Sequence, residues 1–262
     1  MHDAPKHGFW IRNGPHGPAR VLELAIEAEA AGWDGVFVSD AVMEEHTEPF
    51  TQLAAIAART QRIALGTWVT PLVARDVVGV ARAAAVVDAL SGGRLLLGVG
   101  LGNAVEHDAL GVRRGGGPLA AGHEAALEVL AALLEGETVT RHDDWFDLEA
   151  VDLNVRPVCQ PRPPLLLAAS WPATRPVERA ARWEGLMPQW PGMYADDEEG
   201  LESELRELLA HYRSHGGDGV VVVPRLARFG STYDELLVEL GVDWALTCDD
   251  LDTDALRAGP PV

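Results

Sequence analysis

Titratable side chains follow two short apolar runs of the sequence. Asp40 comes directly after the run Gly-Val-Phe-Val-Ser at 35–39, and Glu106 follows the run Leu-Leu-Leu-Gly-Val-Gly at 95–100. His46 lies in the segment that follows Asp40. Carboxyl and imidazole groups can transfer protons or contact a substrate when a fold places them in a cleft. Asp40, His46 and Glu106 are therefore our candidate catalytic residues.

The same residue types also allow other chemistry. His46 lies close to Glu44 and Glu45, and Glu106 is next to His107, but neither group has the i, i+4 spacing of a helical metal site. Solvent-exposed loop charges are the better interpretation of these residues, and we predict no metal site. The sequence has no Gly-x-Ser-x-Gly turn, which argues against a serine hydrolase of that type.

Glycines and tryptophans near the same strand ends favour a flat ligand. The run Gly-Val-Gly-Leu-Gly at 98–102 does not match a dinucleotide-binding fingerprint, because its third glycine is not at the spacing that the fingerprint requires. Its glycines would instead let the backbone approach a flat molecule. Four tryptophans are predicted at the mouth or inner wall of the fold: Trp10, Trp68, Trp171 and Trp190. Such rings suit a planar aromatic ligand, although some of them could simply cover the core.

Strand-like and helix-like patterns alternate along the whole chain. Eight strands are predicted at residues 7–13, 35–39, 63–70, 94–100, 164–169, 185–189, 219–223 and 243–247. Helices are predicted at 18–31, 49–60, 76–90, 123–134, 176–183, 197–214 and 232–240, with a last short helix at 253–258. This alternation is typical of a parallel sheet with crossover helices. We therefore predict an α/β fold in which residues 1–262 form a single (β/α)8 TIM barrel, whose active site lies at the carboxyl ends of the strands.

Two parts of the chain depart from the regular barrel pattern. Residues 137–155 are polar and predict a β-hairpin outside the barrel, after the fourth helix, as a lid or a surface hairpin. The carboxyl-terminal end is shortened to the helix at 253–258. No change of composition divides the chain into separate domains.

Composition limits the partners and the compartment. The 262 residues carry a formal net charge of −19, which argues against nucleic acid and anionic membranes as partners. No apolar run is long enough to span a bilayer, and the first residues lack the apolar core of a signal peptide, so a cytoplasmic location is expected. Cys159 and Cys248 have no metal-site spacing and are expected to be reduced.

Several strings resemble the bacterial-luciferase-like superfamily of flavin- or deazaflavin-dependent oxidoreductases. The most specific is Leu-Ser-Gly-Gly-Arg-Leu at 90–95, which leads into the Gly-Val-Gly at 98–100. It is preceded by Leu-Gly-Thr-Trp-Val-Thr-Pro at 65–71 and by Ala-Gly-Trp-Asp-Gly-Val-Phe-Val-Ser-Asp at 31–40. The resemblance covers roughly residues 20 to 190 and weakens towards the carboxyl terminus.

The resemblance implies a barrel that binds FMN or coenzyme F420 and carries out oxygenation or hydride transfer on a small organic substrate. It implies a non-proline cis peptide at Trp68–Val69, behind the flavin ring. The positions that would contact the cofactor are Thr67, Trp68, Val69, Gly100, Gly102 and Asn103 around the ring, and Ser170 with Arg113 or Arg114 at the phosphate.

Three positions differ from the family pattern. Trp68 stands where family members commonly have a small residue, and it could narrow the pocket. Ala41 follows Asp40 where many members have histidine, and Leu101 stands near the position of a phosphate-binding arginine of FMN-dependent members. These differences leave a non-catalytic, flavin-binding barrel open as the alternative function. A homodimer is also possible, through the alanine- and valine-rich second and third helices.

Overall fold

The computed structural model of the chain is built on one large parallel sheet and a small hairpin. It describes residues 4–12, 16–41, 47–112, 118–194, 198–226, 228, 230–248 and 253–261. The strands of the large sheet are β1 (Lys6–Ile11), β2 (Gly35–Val38), β3 (Ala64–Thr67), β4 (Thr70–Pro71), β5 (Leu95–Gly100), β8 (Leu165–Ser170), β9 (Gly185–Gln189), β10 (Val220–Arg225) and β11 (Trp244–Cys248). The hairpin consists of β6 (Val139–His142) and β7 (Asp147–Val151), which pair in antiparallel register.

The large sheet closes on itself. β1 pairs in parallel with both β2 and β11, and β3 pairs with β5, so no strand of the ring is left with a free edge. β3 and β4 are two parts of the third barrel strand, and the cis peptide bond Trp68–Val69 lies between them. The predicted (β/α)8 barrel and the predicted cis bond are both confirmed.

Helices surround the barrel. They are α1 (Pro18–Ala31), α2 (Pro49–Ala57), α3 (Val77–Ser91), α4 (Ala104–Ala109), α5 (Leu119–Glu135), α6 (Thr174–Ala180), α7 (Glu198–Ser214), α8 (Gly230–Glu239) and α9 (Thr253–Ala258). The predicted bounds of α1 are confirmed because its signals are local. Pro18 has the φ that a first helical turn needs, and Gly32, at φ 93°, adopts the left-handed conformation that ends the helix. Among the described residues, no helix is long and apolar enough to cross a membrane.

Apolar side chains fill both the interior of the barrel and the layer outside it. Inside, Phe37, Trp68, Met187 and Trp244 belong to one buried cluster. A Cβ atom on Gly66 would collide with the ring of Phe37, so this glycine leaves room for a large side chain at the centre. Outside, α1, α2, α3 and α5 bury alanine, valine and leucine against the strands.

The family-like string at 90–95 lies at the amino-terminal end of the barrel, opposite the expected active site. Arg94 donates hydrogen bonds to the carbonyl oxygens of Ile63 and Ala57, at 2.6 and 3.2 Å, and to Ser91. It therefore ties the end of α2 and the start of β3 to β5. Residues at this end of a TIM barrel generally contribute to stability rather than catalysis.

The largest differences between the predicted and observed helices lie between residues 104 and 122. Residues 104–109 form the short α4 where the sequence predicted only a loop, and α5 begins at Leu119 rather than at residue 123. The physical reason for α4 is its cap, because the Asn103 side chain accepts a hydrogen bond from the Glu106 backbone at 2.9 Å. A helix of six residues shows too little apolar periodicity to be recognised.

Candidate active site

A cavity of about 1140 Å³ opens at the carboxyl ends of the barrel strands. Its floor contains Trp10, Trp68 and Met187, and its walls come from the segments after β2, β5 and β8. The amino-terminal half of α5 and the hairpin complete the wall. Several charged side chains line this one space, as expected for a TIM-barrel active site: Asp40, Glu106, Glu124, Glu128, Arg141, Arg175 and Arg179.

Asp40 lies at the end of β2, with its side chain only 1% exposed. Its Oδ1 is paired with the Arg75 guanidinium, which also lies 3.4 Å from Glu48. Oδ2 is buried and makes no hydrogen bond of normal length to the described residues, but the Thr70 side chain is close enough to lower the pKa of Asp40. Burial raises the pKa of Asp40 above its usual value, and the positive charge of Arg75 opposes that rise. The cavity therefore holds a carboxyl group with one oxygen able to accept a proton or a hydrogen bond.

Glu106 faces the same cavity from α4. Asn103 holds it by two contacts, since its Oδ1 accepts from the Glu106 backbone and its Nδ2 donates to Glu106 Oε2 at 3.1 Å. Glu106 is only 4% exposed and His107 is 5% exposed. The interpretation of this pair as solvent-exposed loop charges was therefore wrong, because α4 turns both side chains inward.

His107 has a structural contact rather than a place in the cavity wall. Its Nε2 lies 2.8 Å from the carbonyl oxygen of Leu101, and its ring packs against Gly102. Gly102 has φ 82°, a conformation that favours glycine. His107 therefore helps to shape the 101–103 loop, in which Leu101, Gly102 and Asn103 all line the cavity.

Of the four tryptophans predicted at the mouth, two line the cavity. Trp10 and Trp68 have ring centroids 5.8 Å apart, and Trp10 donates a 2.7 Å hydrogen bond to Ser39. Trp190 is 1% exposed and belongs to the core, and Trp171 packs beside His211, outside the cavity wall. The prediction was wrong for these two because each lies beyond its strand end, where the chain turns back onto the outer helix layer.

The residues expected around the flavin ring lie at different depths below the cavity. Val69 and Gly100 line the cavity next to one another, since a Cβ on Gly100 would lie 2.9 Å from Val69. Thr67 is fully buried and donates a 2.7 Å hydrogen bond to the carbonyl oxygen of Gly98. Its side chain therefore supports the two strands beneath the cavity.

Ser170 ends β8 and lies on the cavity wall with Arg175, two residues into α6. Arg175 is exposed, and its guanidinium has no charged or hydrogen-bonded partner in the part of the chain that the structure describes. Ser170 and Arg175 can therefore bind an anionic group at this rim. Predicted site residues His46, Arg113 and Arg114 lie outside the described residues.

His123 was not predicted as a site residue. It lies on α5, lines the cavity and is 2% exposed, and neither ring nitrogen has a hydrogen-bond partner among the described residues. Burial, with the nearby Arg179, lowers its pKa to about 4, so the ring is neutral at pH 7. The sequence carried a signal, because His123 shares a helical stripe with Ala126, Leu127 and Leu130, where an apolar residue is expected.

The hairpin also contributes to the cavity, which agrees with the first of its two predicted roles, a lid or a surface hairpin. The Trp145 ring packs on Gly122, where a Cβ atom would approach it to 2.6 Å. Arg141 pairs with Glu128 at 2.8 Å, and Arg179 pairs with Glu124 at 2.6 Å. These residues form a charged upper rim, so the hairpin is part of the site wall.

Comparison with known proteins agrees with this geometry. A family model described as luciferase-like monooxygenase matches residues 3–240. The chain belongs to this family.

Individual relatives narrow the comparison further. An F420-dependent glucose-6-phosphate dehydrogenase of Nakamurella multipartita is 30% identical over 78% of the chain. The match covers 64% of that protein, so the chain spans less than two thirds of its length. A coenzyme F420-dependent tetrahydromethanopterin reductase of Methanopyrus kandleri superposes with a TM-score of 0.75 at 15% identity, covering 98% of this chain and 97% of the other.

A third protein carries a different cofactor. The oxygenating constituent of 3,6-diketocamphane monooxygenase of Pseudomonas putida, in complex with FMN, superposes with a TM-score of 0.68 at 16% identity. The superposition covers 85% of this chain and 67% of the Pseudomonas putida chain. At these identities the two structural likenesses establish the shared fold.

Proposed function

We propose that this chain is an oxidoreductase that transfers a hydride between coenzyme F420 and a small organic alcohol or carbonyl compound. The observation that carries the proposal is the cavity at the strand ends, in which Asp40 and Glu106 face one space above an aromatic floor. FMN is the second candidate cofactor.

The choice of F420 rests on the sequence relative rather than on the fold. The Nakamurella relative, at 30% identity, is named as F420-dependent, whereas the FMN-bound structure is 16% identical and supports the fold alone. Leu101 also stands near the position of the phosphate-binding arginine that the family resemblance implies for FMN-dependent members. Both observations favour the deazaflavin.

The residues present fit such a cofactor. Trp68, Val69 and Gly100 would contact the flat ring, since they line the cavity beside the cis peptide. Arg175 and Ser170 would hold a phosphate, because Arg175 is exposed on the cavity wall and its guanidinium has no partner among the described residues. Gly102 and Asn103 lie on the wall next to them, and Arg113 or Arg114 remain proposed additional phosphate contacts.

The chemistry that the bound cofactor supplies is gain or loss of a hydride at its ring. The chain's own part is to hold the proton that accompanies the hydride. Glu106, fixed by Asn103, and Asp40, through its Oδ2, are the groups that can hold it. His46 is a further proposed proton carrier.

His123 is proposed to contact the substrate. A neutral imidazole in a cavity wall, whose two nitrogens have no hydrogen-bond partner within the described part of the chain, can donate one hydrogen bond and accept another. A substrate hydroxyl or carbonyl group could form a hydrogen bond with this buried ring. That bond would offset the free-energy cost of removing the ring nitrogens from water.

Binding and turnover distinguish the proposal from its alternatives. Purified protein is titrated with F420 and with FMN, and reduced or oxidised F420 is then mixed with a panel of alcohols and carbonyl compounds while its absorbance is followed. The proposal expects F420 binding and substrate-dependent redox change that is lost in Glu106→Gln. Tight binding without turnover for any of the panel would favour the non-catalytic barrel, and preferential FMN binding would favour the second cofactor.

We also propose that the protein is cytoplasmic and that it forms a homodimer. The groove between α2 and α3 contains Phe50, Ala54 and Val80, and nearby Val86 and Leu90 are 43% and 52% exposed. This apolar surface supports a dimer interface there. Size-exclusion chromatography with light scattering, on the wild type and on Val86→Asp, tests it.

A further inference from the structure

A second cluster of polar side chains lies outside the barrel, between α6 and α7. Glu178 projects from α6, His211 lies in the last turn of α7, and His215 directly follows Ser214, the last residue of that helix. The possible ligand atoms of all three lie within 4.8 Å of one another. We propose that these residues form a zinc-binding site, with the fourth ligand position open to water.

The spacing of the two histidines suits a metal ion. His215 follows His211 by four residues and lies in the turn that ends α7, where its backbone N–H donates a 3.2 Å hydrogen bond to the carbonyl oxygen of Tyr212. This turn leaves the two imidazoles side by side. Their ring centroids are 4.3 Å apart. Paired histidines at this spacing with a carboxylate are a ligand set that zinc binds.

The third ligand is already in position. His211 Nε2 lies 3.2 Å from Glu178 Oε1. Ligand atoms around a tetrahedral zinc ion are about 3.3 Å apart, so the three groups could close around the ion by side-chain rotation. The cluster joins two helices, as a metal site that stabilises a fold commonly does.

Surrounding contacts orient the histidines. His215 Nδ1 lies 2.9 Å from the carbonyl oxygen of His211, and a carbonyl can only accept a hydrogen bond, so Nδ1 carries the proton. His215 Nε2 is then the ring atom left to bind a cation, and such second contacts raise the strength of a histidine ligand. On its other side, the His211 ring packs 5.7 Å from the ring of Trp171.

The cluster is accessible from solvent and separate from the cavity. The side chains of Glu178 and His211 are 39% and 22% exposed, and His215 is exposed, so an ion can enter without unfolding. On the same helix, Arg175 and Arg179 line the cavity, but none of the three ligands does. A bound ion would fix α6 against α7 and would thereby steady Arg175 and Arg179. The site does not depend on the proposed activity.

The test uses the full chain after treatment with a chelator. Zinc chloride is titrated calorimetrically, and cobalt(II) is titrated while its visible absorption is followed, because tetrahedral cobalt gives a strong band. The proposal expects one ion per chain and a rise of the melting temperature with zinc, as required when an ion binds only the folded state. His211→Gln, His215→Gln and Glu178→Gln should each weaken binding by about tenfold or more.

His142→Gln is the matched control. His142 is an exposed imidazole on the hairpin, with Asp147 2.6 Å and Glu149 3.3 Å away, but without a second histidine. Its substitution should leave the stoichiometric binding unchanged. Circular dichroism checks that each variant is folded, and exposed His215 is the variant least able to disturb packing. The proposal is overturned by an absence of stoichiometric zinc binding in the wild type, or by equal affinity in His215→Gln.

Discussion

The carboxylate of Asp40 is paired with Arg75 on one oxygen and makes no hydrogen bond of normal length to the described residues on the other. Asp40 lines the cavity, whereas Arg75 lies behind it and borders the groove between α2 and α3. Arg75 holds down the pKa of Asp40 against the effect of burial.

Replacing Arg75 should therefore change the pH dependence of turnover. In Arg75→Ala the pKa of Asp40 rises further, because burial is no longer opposed by a positive charge. If ionised Asp40 is needed, the acidic limb of the kcat/KM profile moves to higher pH. Arg75→Lys, which keeps the charge, should show a smaller displacement, whereas an unchanged profile in Arg75→Ala would remove Asp40 from the proton-handling role. Asp40→Asn should lower kcat roughly a hundredfold.

Substitutions of Asn103 can separate its role as the cap of α4 from its role in positioning the Glu106 side chain. Asn103→Ala loses the cap of α4, at a cost of about 1 kcal/mol, and releases Glu106. Asn103→Asp keeps an oxygen for the Glu106 backbone but places a second carboxylate beside Glu106 Oε2. We expect Asn103→Asp to unfold at nearly the wild-type denaturant concentration and yet to have a much reduced kcat. Equal losses of stability and activity in both variants would mean that the cap alone matters.

His123 should contribute to acid sensitivity. Its pKa is about 4 in the folded chain against 6.5 when unfolded, so between these values the unfolded state binds the proton and the folded state does not. Stability from this group is complete above pH 6.5 and falls as the pH drops towards 4, by up to about 1.4 kcal/mol per pH unit.

His123→Leu and His123→Gln both remove the titrating group. Urea denaturation at several pH values should give a shallower dependence between pH 6.5 and 4 in each variant than in the wild type. The same two variants should raise KM if His123 contacts the substrate. If the stability of both variants depended on pH as it does in the wild type, the His123 ring would have to be solvated or hydrogen-bonded in solution.

Arg175 and Ser170 can be tested with two ligands that differ by one phosphate. Arg175→Ala should weaken binding of FMN by about tenfold, since a charge-assisted contact is lost, and should leave riboflavin binding unchanged. Ser170→Ala should act in the same direction with a smaller effect. Parallel losses for FMN and riboflavin would place Arg175 at the ring rather than at the phosphate.

The fold was predictable because its signals are local. Pro18 and Gly32 mark both ends of α1, and the apolar runs at β2 and β5 are buried on both faces, as parallel strands are. The string around Arg94 identified the family, but its contacts lie at the far end of the barrel from the cavity. It therefore predicted the architecture and gave no information on the chemistry.

The site was only partly predictable because its residues come from separate segments. Asp40 lies two residues after β2, and Glu106 lies in the segment that follows β5, so the strand ends indicated that both would reach the cavity wall. His123 and Trp145 come from a helix and a hairpin. The sequence predicted the hairpin as a lid or a surface hairpin, but its local pattern did not show which residues of either element would line the cavity. Trp190 was wrongly predicted to lie at the mouth of the barrel, since a turn after β9 buries it in the core.

The most direct test of the central claim is equilibrium binding of F420 to the purified chain, followed by quenching of tryptophan fluorescence. Trp10 and Trp68 lie in the cavity floor, so a bound deazaflavin should quench their emission. We predict saturable binding at micromolar concentrations or below, with a smaller quench in Trp68→Phe. Failure of both F420 and FMN to bind, in oxidised and in reduced form, would contradict the account.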